Sequence, residues 1–110
     1  MEAQAVFHAV ADPTRRQILD ALREGGQPGG RLAGQFPISR TAIYKHLCVL
    51  QDAGLVTERK KGRERICELT PQPLRSVDEW LTHYRQFWTA NLKRLKHYVE
   101  QEKVEQDKDK

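Results

Sequence analysis

Residues 39–56 read SRTAIYKHLCVLQDAGLV, and this stretch decides the fold. Ser39 suits a helix N-cap, because its hydroxyl can accept a bond from an amide that the first turn leaves without a partner. Ile43, Leu47 and Leu50 recur at i, i+4 and i+7 and form one apolar stripe. At about 100° per residue, Thr41, Tyr44, Lys45 and Cys48 fall on the opposite side, with Arg40 on the flank of the first turn. That outer face carries cations, a hydroxyl and a phenol near its start, and one acid, Asp52, near its end. Side chains that seek phosphate and read base edges, placed at the start of a helix, are what docking in a DNA major groove requires. Gly54 then ends the helix at C′, where a positive φ brings no Cβ penalty. The plainer reading is a solvated amphipathic helix that happens to be basic, and this stretch alone does not separate the two.

The segments upstream supply the rest of a helix-turn-helix. Residues 2–11 read as a short helix with Val6, Phe7 and Val10 on one side. Asp12-Pro13-Thr14 is a stop and a restart: Asp12 caps, and Pro13 fits the first helical position because its missing N–H would have had no partner. The helix over 13–24 buries Ile18, Leu19 and Leu22 and leaves Arg15, Arg16 and Arg23 mostly off the stripe. Gly25-Gly26-Gln27-Pro28-Gly29-Gly30 reads as a flexible loop. A short helix over 30–35 follows, and Phe36-Pro37-Ile38 makes the turn, since Pro37 disfavours helix in the residue before it. A short helix, a turn and the helix from Ser39 together form the motif.

Downstream the period changes. Residues 56–60 and 65–69 read as two strands joined by Lys61-Gly62-Arg63-Glu64, with Cys67 and Leu69 facing the helices. Four of the five residues 59–63 are basic and surround the hairpin tip. Such a hairpin beside a reading helix is a wing, placed to meet phosphates or the minor groove. By itself it reads better as an edge hairpin protected by lysines, and only beside this helix does the wing reading prevail. Pro71 and Pro73 open a last helix over 73–101, about 43 Å long. Leu74, Val77, Leu81, Tyr84, Trp88, Leu92, Leu95 and Val99 run along it at spacings of three and four, and Trp80, Phe87 and Tyr98 widen the stripe. A small domain cannot cover so long and aromatic a stripe alone, so part of it is expected to pack on a second copy together with the first helix. Residues 102–110 are expected to be a charged, disordered tail, and residues 1–101 one domain.

Composition sets the outer limits. The chain has 110 residues, of which 38% are hydrophobic and 31% charged, so its core is thin and a shared dimer core would add stability. The net charge is +4. Basic and acidic side chains cancel over residues 1–38 and again over 66–110, so the whole excess lies in 39–65. There Arg40, Lys45, Arg59, Lys60, Lys61, Arg63 and Arg65 face Asp52, Glu58 and Glu64. Localised positive charge attracts a polyanion and releases its counterions. A membrane surface competes as the polyanion, but the segment lacks the bulky apolar face of an interfacial helix. The start of the chain has no basic stretch of a signal peptide and no apolar run reaches membrane-spanning length, so a cytoplasmic protein is expected. Cys48 and Cys67 do not make a disulfide framework.

The run ADPTRRQILDAL, then SRTAIYKHLCVLQDAGLV, the KKGRER wing and the helix WLTHYRQFWTANLKRLKHYV resemble the ArsR family of dimeric winged-helix transcriptional repressors, from about Val6 to about Val99. The resemblance implies a mainly α fold with a small β-hairpin, in the order α-α-α-α-β-β-α, dimerised through its terminal helices. It implies base-facing roles for Arg40, Thr41, Tyr44 and Lys45, with Ser39 beside them, and backbone roles for Arg63 and its neighbours Arg59, Lys61 and Arg65. It places Val6, Phe7, Leu81, Tyr84, Trp88, Leu92 and Leu95 at the dimer interface. The family often has a small residue where Tyr44 stands, so base preference does not transfer directly.

The family is best known for metal sensing, and neither of its ligand patterns is present. The segment before the reading helix, GGRLAGQF, lacks a C-x-C pair. Asp78 is followed by Glu79 and Trp80, and His83 and His97 are fourteen residues apart, about 21 Å along a helix. No metal or cofactor is therefore expected, and His46, beside the apolar stripe, is read as structural. Cys48 and Cys67 would be the pair in a thiol switch, but only nearby cations act to lower either thiol's pKa, so two ordinary small residues are the favoured reading. The expected function is a sequence-specific DNA-binding regulator, a homodimeric repressor on an inverted-repeat operator, with room for a small-molecule effector. The alternatives are a MarR-type regulator, whose chain is usually longer, and a winged helix used only for protein contacts. An enzyme is not expected, because no nucleophile–base pair, phosphate loop or paired-carboxylate cluster stands out.

Overall fold

The computed structural model describes residues 3–108, with side chains described through Glu102. The elements run α1 (Ala3–Val10), α2 (Pro13–Ala21), β1 (Gln27–Pro28), α3 (Gly29–Ala33), α4 (Arg40–Asp52), β2 (Val56–Lys61), β3 (Glu64–Leu69), a 3-10 turn (Gln72–Leu74) and α5 (Arg75–Lys108). The chain divides into two units at Val77/Asp78, inside α5.

In the first unit the caps act as the sequence predicts. Asp12 accepts a 3.1 Å bond from the Arg15 amide at the start of α2, with Pro13 at the first helical position. Ser39 Oγ accepts a 3.1 Å bond from the Ala42 amide at the start of α4. At the far end of α4, Gly54 has φ 76°, its amide donates to the Gln51 carbonyl, and the Leu55 amide donates to the Leu50 carbonyl. This paired closure is a Schellman motif, and it turns the chain from the helix into β2 with Leu50 and Leu55 both fully buried.

Helices α1–α4 enclose a core of Val6, Ala9, Ile18, Leu22, Leu32, Ile43, Leu47 and Leu50, closed from the sheet side by Val56 and Cys67. No polar or charged side chain is buried among the described residues. The hairpin pairs Val56 with Leu69 through to Lys61 with Glu64, so the connection is the two residues Gly62 and Arg63 rather than a four-residue loop. Gly62 has φ 63° while no non-glycine residue among the described residues has a positive φ, the pattern of a II′ hairpin turn.

Three further expectations change. The loop over 25–30 contains a strand: Gln27 pairs with Cys67 and Pro28 with Ile66, making a three-stranded sheet ordered β1-β3-β2. Gln27 secures the join, donating to the Ala21 carbonyl at 3.1 Å and accepting from Gln35 at 2.6 Å. Helix α2 stops at Ala21, with Leu22 as its C-cap, and does not reach Glu24. Finally, α5 runs on to Lys108, so residues 102–108, expected as a tail without structure, are helical, and 109–110 lie outside the described residues.

The second unit, from Asp78 onward, is helix α5. Trp80 and Tyr84 meet one turn apart, tilted by 57° with ring centroids 5.1 Å apart, and Arg85 pairs with Asp78 two turns back. Among the described residues no helix is long and apolar enough to cross a membrane.

Candidate nucleic-acid interface

The cap at Ser39 fixes where the first outward side chains of α4 emerge. Arg40, Thr41, Tyr44 and Lys45 are all exposed, and Arg40 and Lys45 make no ion pair among the described residues. Ser39 is exposed too; its oxygen is engaged by the cap, which leaves its O–H free to donate to a phosphate. The hairpin carries Arg59, Lys60, Lys61, Arg63 and Arg65, all exposed. Every residue that the sequence places at a DNA-facing surface is therefore accessible to solvent.

Between the helix and the wing lies a cleft of about 740 Å³ lined by Gly29, Gly30, Arg31, Tyr44, Glu58 and Arg65, among others. Tyr44 sits at its inner side. A Cβ built on Gly29 would lie 3.6 Å from the Tyr44 ring and 3.8 Å from Cys67 Sγ. The ring thus rests against the start of α3 at the root of the wing while remaining 44% exposed. Arg31 adds a cation that sequence pattern does not single out. Its signal is weak, one arginine in a glycine-rich run, and only the packing of α3 on α4 brings it to the cleft.

Behind the reading helix is a polar junction that the sequence shows only in part. Arg15 Nε donates to the Ala9 carbonyl at 2.7 Å and its Nη2 to the His8 carbonyl at 3.0 Å, closing the end of α1. Its Nη1 lies 3.2 Å from His46 Nδ1 on α4. Asp12 lies 4.0 Å from the same nitrogen. The Arg15 amide, and secondarily the charges of His46 and Arg15, hold the Asp12 carboxyl below the usual carboxylate range against an opposing desolvation. His46 is thereby structural in the sense expected, joining α4 to α1 and α2.

The cysteines differ. Cys48 is exposed on α4. Cys67 is buried, and burial, helped by the Glu58 charge, pushes its thiol pKa up, away from thiolate chemistry. No three His, Cys, Asp or Glu side chains gather into a metal-binding group among the described residues.

Val6 requires correction as an interface residue. Only 1% of its surface is accessible, and it packs in the core of its own chain. The 3–4 spacing identifies an apolar face on α1 but not what covers it. Phe7 is half-buried, Leu81 on α5 is half-buried, and Tyr84, Trp88, Leu92 and Leu95 are 44 to 64% exposed.

Comparison with known proteins agrees with this geometry. A family model described as a helix-turn-helix domain matches residues 10–59. The chain is 35% identical over 79 residues to the transcriptional repressor SdpR of Bacillus subtilis, covering 72% of this chain and 88% of that one. It is 40% identical over 86 residues to the HTH-type transcriptional regulator Rv2034 of Mycobacterium tuberculosis, covering 78% of each. The solved structure of an ArsR-like transcriptional regulator from Rhodococcus sp. RHA1 matches with a TM-score of 0.66 at 36% identity, over 86% of this chain and 90% of that one. A helix-turn-helix whose reading face continues into a basic hairpin defines a winged-helix, DNA-binding transcriptional regulator. Within that class the chain belongs to the ArsR family.

Proposed function

We propose that the protein is a cytoplasmic homodimeric repressor that binds an inverted-repeat operator. The observation that carries this is the exposed cationic surface formed by Arg40 and Lys45 on the first turns of α4 and by the arginines and lysines of the wing. In this reading Arg40, Thr41 and Lys45 meet base edges in the major groove, with the outer edge of Tyr44 beside them. Arg63, Lys61 and their neighbours grip phosphates on the flank. The repressor sense is supported by the relative SdpR, which is named a transcriptional repressor. Two copies related by a two-fold axis would present their α4 helices to half-sites about 34 Å apart, one helical turn. The second copy is assigned to Phe7 and the exposed apolar stripe of α5. No transition-metal effector is proposed, since neither ligand pattern of the family is present.

The test begins with selection of a binding site from random duplexes, followed by fluorescence anisotropy on that site and on a scrambled one across several salt concentrations. Arg40→Ala should weaken the selected site by about 1–3 kcal/mol for each base edge it no longer reaches and flatten base preference. Arg63→Ala should weaken both duplexes and make the salt slope shallower by about 1 for each phosphate it no longer neutralises. Equal affinity of the native protein for both duplexes would mean that the winged helix serves protein contacts instead.

A further inference from the structure

Two of the five cations on the wing are already engaged by the wing's own carboxylates. Arg59 Nε donates to Glu68 Oε1 at 2.6 Å, and an Arg65 Nη lies 3.7 Å from Glu58 Oε2. The register explains both. Arg59 stands opposite Ile66 with Glu68 two residues on, and Arg65 stands opposite Lys60 with Glu58 two residues back. Each pair is therefore a diagonal cross-strand neighbour, and the two pairs lie on opposite faces of the ribbon. Lys60, level with Arg65, and Lys61 and Arg63, next to and within the turn, make no ion pair among the described residues. The wing thus carries two arginines engaged by its own acids and three cations that are not.

The pairs are exposed, with side-chain accessibilities of 57% and 38% for Arg59 and Glu68 and 79% and 37% for Arg65 and Glu58. Ion pairs this accessible are weak, and a well-placed phosphate can displace the carboxylate. Displacement leaves that carboxylate uncompensated beside a polyanion. The exchange is then unfavourable wherever phosphates are loosely placed, and favourable where docking of α4 sets a phosphate within bonding distance of the guanidinium.

Resting on the DNA-binding reading above, we propose that Glu58 and Glu68 are specificity-determining residues of the wing. They hold Arg65 and Arg59 away from the phosphates of DNA at large and yield them on a site where the reading helix is seated. The acids thereby lower affinity for arbitrary sequence more than for the operator.

The experiment uses the full chain, its selected site and a scrambled duplex, with anisotropy over a range of salt. Glu68→Gln keeps the side chain's shape and removes its charge. It should tighten binding to the scrambled duplex by about 2–5-fold, the size of a surface pair. It should also steepen the salt slope there by up to about 0.9 per cation released. The selected site should tighten less, so that discrimination falls. Glu58→Gln should act in the same direction through Arg65. The decisive comparison is Glu68→Gln in an Arg59→Gln background, where no cation remains to be released and the effect should vanish. An undiminished effect in that background would show a general charge change and overturn the proposal. So would equal tightening of both duplexes, or no change in either. A native protein without preference for its selected site would instead remove the DNA-reading premise. A native preference that both glutamate variants leave intact overturns the role of the acids alone.

Discussion

Asp12 ties a backbone turn to the position of the reading helix. It caps α2 through the Arg15 amide and lies beside His46 of α4. Because these contacts depress its pKa, the native state binds a proton there less readily than the unfolded chain does. Its contribution to stability is whole above the ordinary carboxylate value of about 3.9 and is lost as the pH falls through the depressed native value. Urea midpoints measured from about pH 6 down to about pH 3 should fall less for Asp12→Asn than for the native protein, since Asn caps without titrating. Asp12→Ala should be less stable than native at neutral pH and show the same flattened dependence as Asn. Native and Asn variants with parallel acid profiles would place the titration elsewhere.

The elements differ in how plainly the sequence announces them. Helices α2 and α4 carry caps and apolar spacings that local physics reads directly, and Gly54 marks the stop that the Schellman motif uses. Strand β1 carries no such signal, because two residues are too few to show a period and its Gly-Pro-rich setting resembles a loop. Its place is set by the partner strand. A Cβ on Gly26 would lie 2.7 Å from Glu68 Cγ, 2.9 Å from Ile66 Cγ2 and 3.1 Å from the Cys67 carbonyl. Glu68 can swing away, but Ile66 is buried and the carbonyl belongs to the sheet. Gly26→Ala should therefore destabilise the protein by about 1–3 kcal/mol in equilibrium urea unfolding, and a native midpoint would show that β1 approaches β3 less closely. The candidate interface is legible to a similar degree. The cationic residues of α4 and the wing follow from charge and period, whereas the pairing of Arg59 and Arg65 with acids depends on a register that the two-residue turn sets. The core position of Val6 depends on which neighbour covers α1, which spacing alone does not encode.

For the molecule as a whole, α5 poses a problem of exposed area. Its 34 residues extend about 51 Å. Trp80, Tyr84, Phe87, Trp88, Leu92, Leu95, Tyr98 and Val99 are all exposed along it. So much contiguous apolar surface is characteristic of an interface. Replacing Trp88 and Leu92 by Glu should place charge there and give monomers or unfolded chain in sedimentation. A native protein that sediments as a monomer at micromolar concentration would count decisively against a shared interface. The closure at Gly54 bears on how such an assembly meets its target. Leu50 and Leu55 are buried on either side of that single glycine, so the span between helix and wing is set before any encounter, like the jaws of a fixed gauge. The protein then has little freedom to adjust at this joint, and the duplex must make the adjustment. Operators rich in easily bent or twisted base steps would be favoured for that reason, including at base pairs that no side chain reaches.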